Sequence, residues 1–256
     1  SITVSAGDAV VVNQNLSTTA VNTSGGGAGS NAVSGGVTLT AAGSISGAGT
    51  ISTGSATADD ASTGGTSTTA TSGSISLTAT GANVQLGKLT TGAATVSNVN
   101  EGASTDTATA GTISLSGASL GTSTGTPQTL ALGSGTGGAA SVGGMLNLTA
   151  TAGNIFVSSD AALRVKDLTT QAATANTVDI RTTGGKAIVF DSTGTYANVS
   201  GSGTANNGDA INVVTDTTGG TVTFNKALDA GSITVSAGDA VVVNQNLSTT
   251  AVNTSG

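Results

Sequence analysis

The sequence predicts an all-β fold, a right-handed parallel β-solenoid (β-helix) in which short strands stack coil on coil. Three observations predict it: a long internal repeat, a shorter period inside that repeat, and a composition with 7% charged and 2% aromatic residues. Gly, Ala, Ser and Thr suit tight corners and thin walls. A globular core for a chain of 256 residues would need more aromatic side chains to fill its centre.

The long repeat is an identity between two segments. Residues 1–25 read SITVSAGDAVVVNQNLSTTAVNTSG, and residues 232–256 read the same. The chain is therefore one full repeat, residues 1–231, followed by the start of the next copy, residues 232–256. We interpret it as a window from a tandem array, and an artificial duplication of one segment is the alternative.

A shorter unit recurs inside the long repeat. A Gly or another small residue is followed by alternating apolar residues, as in Gly35-x-Val37-x-Leu39. Alternation with period two predicts a strand with one buried face. Seven units fit into the repeat, so we expect about seven coils per 231 residues. Their first apolar residues should form one inward-facing core ladder, made of Ile2, Val37, Ile75, Ile113, Leu146, Val178, Ile211 and Ile233.

Each unit ends in a variable tail rich in Gly, Ser, Thr and Asn. We expect these tails to be surface loops or protruding, poorly packed turns. No helix is predicted, because Gly and Thr are poor helix formers and no helical spacing of apolar residues is present. The tails are residues 25–35, 53–72, 101–110, 121–127 and 201–208.

The composition excludes several classes of function. Without His or Cys the chain has no zinc finger, haem or iron–sulfur ligation, Ser-His-Asp triad or disulfide. Six Lys and Arg residues and a net charge of −7 argue against nucleic acid and anionic lipid as partners. No run approaches the roughly 20 apolar residues of a membrane-spanning helix. We expect no cofactor, no metal site and no membrane insertion.

Two groups of charged residues are candidate sites. Asp59 and Asp60 are the one adjacent acidic pair, and a solvated loop pair is favoured over a catalytic dyad. The second group would form the charged stripe of a β-helical polysaccharide lyase or hydrolase, although weak ion pairs on exposed strands explain it as well. We expect no catalytic residue in either group. The stripe would consist of Arg164, Lys166, Asp167, Asp179 and Arg181.

Neither end of the sequence has the pattern of a cap. A solenoid with an uncapped edge strand pairs with further strands. We therefore expect copies of the chain to join, either as one covalent array or as a head-to-tail stack. A head-to-tail contact of this kind gives an open fibre.

Three strings resemble the repeats of filamentous-haemagglutinin-type adhesins: GSITVSAGDAVVVNQNLSTT, GSISLTATGANVQLGKLTT and GMLNLTATAGNIFV. These adhesins are large β-solenoid proteins that Gram-negative bacteria export by two-partner secretion or as autotransporters. The resemblance covers most of the chain, and it implies a rod-like right-handed β-helix that is secreted and acts at the cell surface.

We accordingly expect an extracellular structural protein, a filament or adhesin stalk built by coil stacking, and not an enzyme. Its partners would be copies of itself, with host or surface glycans as further candidates. The alternative is a β-helical carbohydrate-active enzyme or a carbohydrate-binding module.

Overall fold

The computed structural model describes residues 1–24, 30–59, 67–97, 106–138, 140–170, 175–197 and 208–249. This part of the chain is entirely β, without a helix. Its strands are β1 Ile2–Ala6, β2 Val10–Val11, β3 Leu16–Ser17, β4 Val21–Ser24, β5 Asn31–Val33, β6 Val37–Ala41, β7 Ile45–Ser46, β8 Ile51–Ser52, β9 Ala56–Asp59, β10 Thr69–Thr71, β11 Ile75–Ala79, β12 Val84–Gln85, β13 Leu89–Thr90, β14 Ala94–Ser97, β15 Thr107–Thr109, β16 Ile113–Gly117, β17 Gln128–Ala131, β18 Gly135–Thr136, β19 Ala140–Val142, β20 Leu146–Ala150, β21 Ile155–Ser159, β22 Leu163–Thr169, β23 Thr177–Thr182, β24 Ile188–Ala197, β25 Ala210–Val214, β26 Val222–Phe224, β27 Leu228–Ala230, β28 Ser232–Ser236, β29 Val241–Val243 and β30 Leu247–Thr249.

Two long parallel sheets run the length of the fold. The first long sheet has the order β1-β6-β11-β16-β20-β22-β24-β26-β29, and the second has the order β3-β8-β13-β17-β21-β23-β25-β28. A short column, β2-β7-β12, lies beside the second long sheet and joins it at β21 through bridges from Leu120 to Val84 and Ile155. Successive turns of the chain add one strand to each long sheet, which confirms the predicted parallel β-solenoid.

The core between the long sheets is a stack of aliphatic side chains. In β11, Ile75, Leu77 and Ala79 are buried and the residues between them are not. Each buried residue lies above its counterpart in the next coil, at the spacing of about 4.8 Å between paired strands. The space between the two long sheets is narrow, so aliphatic side chains such as that of Leu77 fill it and exclude water without the help of aromatic side chains.

A side lobe projects from the first four coils, between the second and the first long sheet. It consists of two further parallel sheets, β4-β9-β14-β18 and β5-β10-β15-β19. Small side chains fill the space between them, so the two sheets approach closely. The buried residues of the lobe are Ala32, Ala56, Ala58, Ala70, Ala94, Val96 and Ala108.

The lobe corrects the interpretation of the tails as poorly packed loops. Residues 31–33, 56–59, 69–71 and 107–109 are paired strands with buried alanines. Residues 121–127 do form a turn, closed by a bridge between Ser123 and Thr126. Residues 25–29, 60–66, 101–105 and 201–207 of these tails lie outside the described residues.

The predicted core ladder is divided between the two long sheets. Its first five residues pair in order along the first long sheet, ending at Leu146. The next partner of Leu146 is Val165, so the predicted step to Val178 is wrong. Val178, Ile211 and Ile233 instead pair in order in the second long sheet. The turn that starts at β20 has no lobe and is short, so the predicted unit from Leu146 to Val178 covers more than one turn, whereas the later units cover one turn each.

The repeat therefore does not span a whole number of turns. Seven turns separate β1 from β26 in the first long sheet, and the chain then passes through β27, which pairs with β30 in a separate short sheet, before β28 joins the second long sheet. The predicted count was about seven coils. Because β1 and β28 share the sequence ITVS, one sequence occupies different long sheets at the two ends of the fold.

Candidate functional site

The candidate acidic pair is only partly described. Asp59 ends β9 in the side lobe, where the Ser97 hydroxyl donates a hydrogen bond to its Oδ1 at 3.3 Å. Asp60 lies outside the described residues. The structure therefore places Asp59 beside the neighbouring strand β14, and a pairing of Asp59 with Asp60 lies outside the described residues.

The charged residues of the second half do not form one stripe. Arg164 of β22 makes an ion pair with Asp191 of β24, both in the first long sheet. Arg181 and Asp179 pair with each other on β23, in the second long sheet, with 2.8 Å between Arg181 Nη2 and Asp179 Oδ2. A single charged stripe, the alternative to weak ion pairs on exposed strands, is therefore not formed, because the chain crosses from one sheet to the other between these residues.

The two arginines have buried carboxylate partners. Burial opposes ionisation of Asp191, but hydrogen bonds from Thr193 and Arg164 outweigh it and lower its pKa. The hydrogen bond to Asp179 raises the pKa of Arg181. Lys166 and Asp167 follow Arg164 along β22, and Asp167 Oδ1 accepts a hydrogen bond from the Thr195 amide at 2.9 Å. The contacts of Arg164 and Asp167 connect β22 to β24, whereas the pair of Arg181 and Asp179 stays within β23.

Two negative findings apply to the described residues. Across the seven described ranges, no three acidic residues are grouped so that they could hold a metal ion. In the same ranges no helix has the length and apolar character that crossing a membrane requires.

The base of the lobe contains a hydroxyl–glycine network that we call the neck. It lies where the chain leaves the second long sheet and returns to the first. Ser34 Oγ donates to Gly54 O at 2.5 Å and accepts from Gly73 N at 2.7 Å. Ser72 Oγ, one coil later, donates to Gly92 O at 2.6 Å and accepts from Gly111 N at 2.7 Å. Each hydroxyl thus connects the two sides of the neck and two successive coils.

Threonines continue the neck between these serines. Thr53 Oγ1 donates to Gly73 O at 2.6 Å and accepts from Gly92 N at 3.2 Å. Thr18 donates to Gly35 O in the first coil, and Gly133 N donates to Thr91 in the fourth. The network therefore runs through all four coils that carry the lobe.

Close backbone approach requires glycine at the neck. A Cβ atom on Gly73 would lie 2.0 Å from Gly35 O, and one on Gly111 would lie 1.9 Å from Gly73 O. No side chain fits at such distances. Sequence reasoning missed the neck, although a signal exists, since a hydroxyl residue followed by Gly recurs every 19 residues at Ser34, Thr53, Ser72 and Thr91.

One buried carboxyl group joins two corners in the second half. Asp209 is 0% exposed, its Oδ2 accepts a hydrogen bond from Thr170 Oγ1 at 2.5 Å, and its Oδ1 accepts one from Asn176 N at 2.7 Å. Burial raises its pKa above the ordinary value of 3.8, and the bonds from Thr170 and Asn176 only partly oppose this. A carboxyl group with a raised pKa in the folded state makes the fold less stable as the pH rises through that pKa.

We expect Asp209→Asn to change the pH dependence of stability. The amide retains an acceptor for Asn176 but carries no charge. The free energy of unfolding of the variant, relative to that of the wild type, should therefore increase as the pH is raised from about 3 to about 7. Urea unfolding at both pH values measures this. Asp216→Asn is the matched control, because hydrogen bonds from Thr218, Gly185 and Gly184 lower the pKa of Asp216. Its free energy of unfolding, relative to that of the wild type, should decrease over the same pH range. Equal pH slopes in Asp209→Asn and wild type would contradict the prediction.

Both ends of the solenoid expose apolar concave surfaces. The surface at the amino-terminal end has a volume of about 380 Å³ and is lined by residues such as Val4, Val11 and Leu39. The surface at the carboxyl-terminal end, about 680 Å³, is lined by residues 243–248, which repeat residues 12–17. Val11 is 60% exposed and Val243 is 50% exposed. Such side chains at a strand edge favour burial by a further coil.

The segment that forms both ends of the fold occurs in two copies, and each copy pairs through a different edge. We call residues 1–18, and their copy 232–249, the repeated segment. The first copy pairs with the coil that follows it, β6, β7 and β8, and the second pairs with the coil that precedes it, β25, β26 and β27. The pairs are Ile2 with Val37, Val10 with Ile45 and Leu16 with Ile51, and then Ile233 with Ile211, Val241 with Val222 and Leu247 with Leu228.

Comparison with known proteins gives no family for this chain: no family model matches the sequence, and no curated protein and no solved structure matches it. The resemblance to filamentous-haemagglutinin-type adhesins is accordingly a resemblance of sequence pattern.

Proposed function

We propose that the protein is a structural one, a section of a tandem-repeat β-solenoid that forms an extracellular filament or adhesin stalk at a cell surface. The observation that carries this proposal is the pairing of the repeated segment on both edges. In consecutive repeats, the coil ending in β25–β27, the repeated segment and the coil starting with β6–β8 stack without interruption. Such an array needs no cap between its copies.

The mechanism is mechanical. Parallel strands in register give each coil hydrogen bonds to the coils above and below, and the aliphatic core between the long sheets is buried. The neck adds bonds that join the two sides of each lobe-bearing coil. A rod with these features resists bending and proteolysis, because local opening of one coil must break contacts with both neighbours. The secreted, bacterial setting is supported by the sequence resemblance.

The contacts of the charged residues support a role without catalysis. Asp179 and Asp191 are buried against arginines, and Asp209 is bonded to Thr170 and Asn176. Asp191 connects β22 to β24 in this way, and Asp209 connects two corners of successive coils, while Asp179 is held within β23.

Electron microscopy of arrays tests the proposed function. Arrays of two and four repeats should appear as single straight rods that lengthen by about 36 Å for each added repeat, at about 4.8 Å per turn. Globular beads joined by gaps would contradict the proposal. A matched control replaces the internal repeated segment by a Gly/Ser linker of equal length, which should divide the rod into two hinged halves.

A further inference from the structure

The same glycine of the repeated segment has different surroundings in its two copies. A Cβ atom added to Gly238 would lie 2.0 Å from Asp216 O and 2.5 Å from Gly219 O. A Cβ atom added to Gly7, the equivalent residue of the first copy, would meet nothing within 4 Å. The contacts of Gly7 within its own chain therefore give no reason for a glycine there. A preceding coil, packed as it is against Gly238, would require one.

The coil that precedes the second copy forms an acceptor edge, which consists of β25, β26 and β27 with the turn after β25. Its bonds to residues 232–249 come from all three strands. They include Thr215 N to Ser236 O at 2.9 Å, Asn244 N to Phe224 O at 2.9 Å and Leu228 N to Asn246 O at 3.1 Å. Gly238 N also donates to Thr215 Oγ1 at 2.8 Å. Residues 1–18 have the same sequence as the present occupant of this edge.

The two edges of the repeated segment use different backbone groups. In the first copy, Val10 N and Val12 N donate to Ser44 O and Ser46 O of the following coil. In the second copy, the residue equivalent to Asn13 donates in the opposite direction, from Asn244 N to Phe224 O. Residues 1–18 can therefore keep every bond to their own chain while they bind an acceptor edge. The apolar surface around Val4 and Val11 would be covered in the same step.

We propose that residues 1–18 of one chain bind the acceptor edge of a second copy in place of that chain's residues 232–249, so that chains join head to tail without a covalent bond. This inference rests on the proposed function, and it names the surface and the partner through which separate chains join. Each added chain contributes an acceptor edge of its own, so the assembly is open-ended.

Competition within the chain regulates this assembly. Residues 232–249 are tethered directly to β27, which gives them an effective concentration on the order of millimolar at the acceptor edge. At micromolar protein the wild type should therefore be mainly monomeric. Weakening the chain's own second copy should release the acceptor edge to residues 1–18 of another chain.

The test uses the full chain with substitutions at the two equivalent glycines. Gly238→Val displaces the chain's own segment and should produce linear polymers, with a weight-average mass several-fold above that of the monomer in light scattering after size exclusion. Gly7→Val should fold as the wild type does and stay monomeric. The double variant should also stay monomeric, because neither copy can occupy the edge. Electron microscopy of Gly238→Val should show rods.

Two outcomes would overturn the proposal: a folded, monomeric Gly238→Val variant, or a double variant that polymerises as Gly238→Val does. If Gly238→Val fails to fold, Asn244→Pro takes its place, since it removes the bond to Phe224 O, and Asn13→Pro becomes its matched control. Monomers in every variant, together with continuous rods from covalent arrays, would refute this exchange and leave the proposed function standing.

Discussion

Gly111→Ala should lower the free energy of unfolding by more than about 3 kcal/mol, the upper end of ordinary overpacking penalties. The new Cβ atom would lie 1.9 Å from Gly73 O and 2.6 Å from Gly73 C. Both contacts are backbone atoms of a coil held by hydrogen bonds on each side, so neither can move without opening the neck. The bond from Gly111 N to Ser72 Oγ would be lost in the same movement.

The same substitution should divide the unfolding transition. In a solenoid each coil is stabilised mainly by its nearest neighbours, so damage at one neck uncouples the coils on either side. Thermal unfolding followed by circular dichroism and limited proteolysis should show a first cleavage near the neck, before the second half unfolds. Gly143→Ala is the matched control, because a Cβ atom there meets nothing within 4 Å. Equal melting temperatures for the two variants would refute the role assigned to the neck.

Phe190→Ala should cost about 3–5 kcal/mol, the usual range for a buried aromatic residue. Phe190 is 0% exposed. Its ring stacks on Phe224 with 4.7 Å between ring centroids and forms a T-shaped pair with Tyr196 at a centroid distance of 5.8 Å. Phe224 belongs to β26, a strand of the acceptor edge. The cavity left by the substitution should therefore loosen the last coils before it affects the first.

Fluorescence can follow this local effect. Tyr196 is the single tyrosine of a chain without tryptophan, and burial raises its pKa while its hydroxyl donates to Val165 O at 3.1 Å. Its emission should change at lower urea in Phe190→Ala, ahead of the loss of β signal in circular dichroism. Phe156→Ala, at a half-buried position of β21, should have a much smaller effect. If tyrosine emission and circular dichroism of Phe190→Ala changed at the same urea concentration, the prediction would be contradicted.

The alternation of apolar residues predicted the strands well, but after Leu146 it no longer predicted which sheet each strand joins. Up to that residue each coil carries a lobe, so each unit counted along the sequence equals one turn. After it, two equally apolar runs follow in quick succession, at Ile155 and Val165. Both have period two, and a period alone does not tell which of two facing sheets a strand joins. The residues predicted for the core ladder after Leu146 are therefore aliphatic core residues, as expected, but they lie in the second long sheet and not in the first.

The lobe and its neck were harder to predict for a different reason. The lobe core is built from alanines, such as Ala56 and Ala70, which add little to any hydrophobic pattern. The neck depends on the distance between two backbones, which composition does not encode. Its 19-residue recurrence of a hydroxyl residue before Gly is nevertheless visible in the sequence, and the half-coil spacing could have indicated two facing walls.

The change of sheet at the end of each repeat determines where successive lobes point. In the first repeat the lobe leaves between the second and the first long sheet, whereas the second copy of the repeated segment starts on the opposite sheet. In an array, the next lobe would leave between the β27-β30 sheet and the second long sheet, so consecutive lobes would project from different sides of the rod. A filament of this kind would present identical projections in more than one direction, each available to a separate surface.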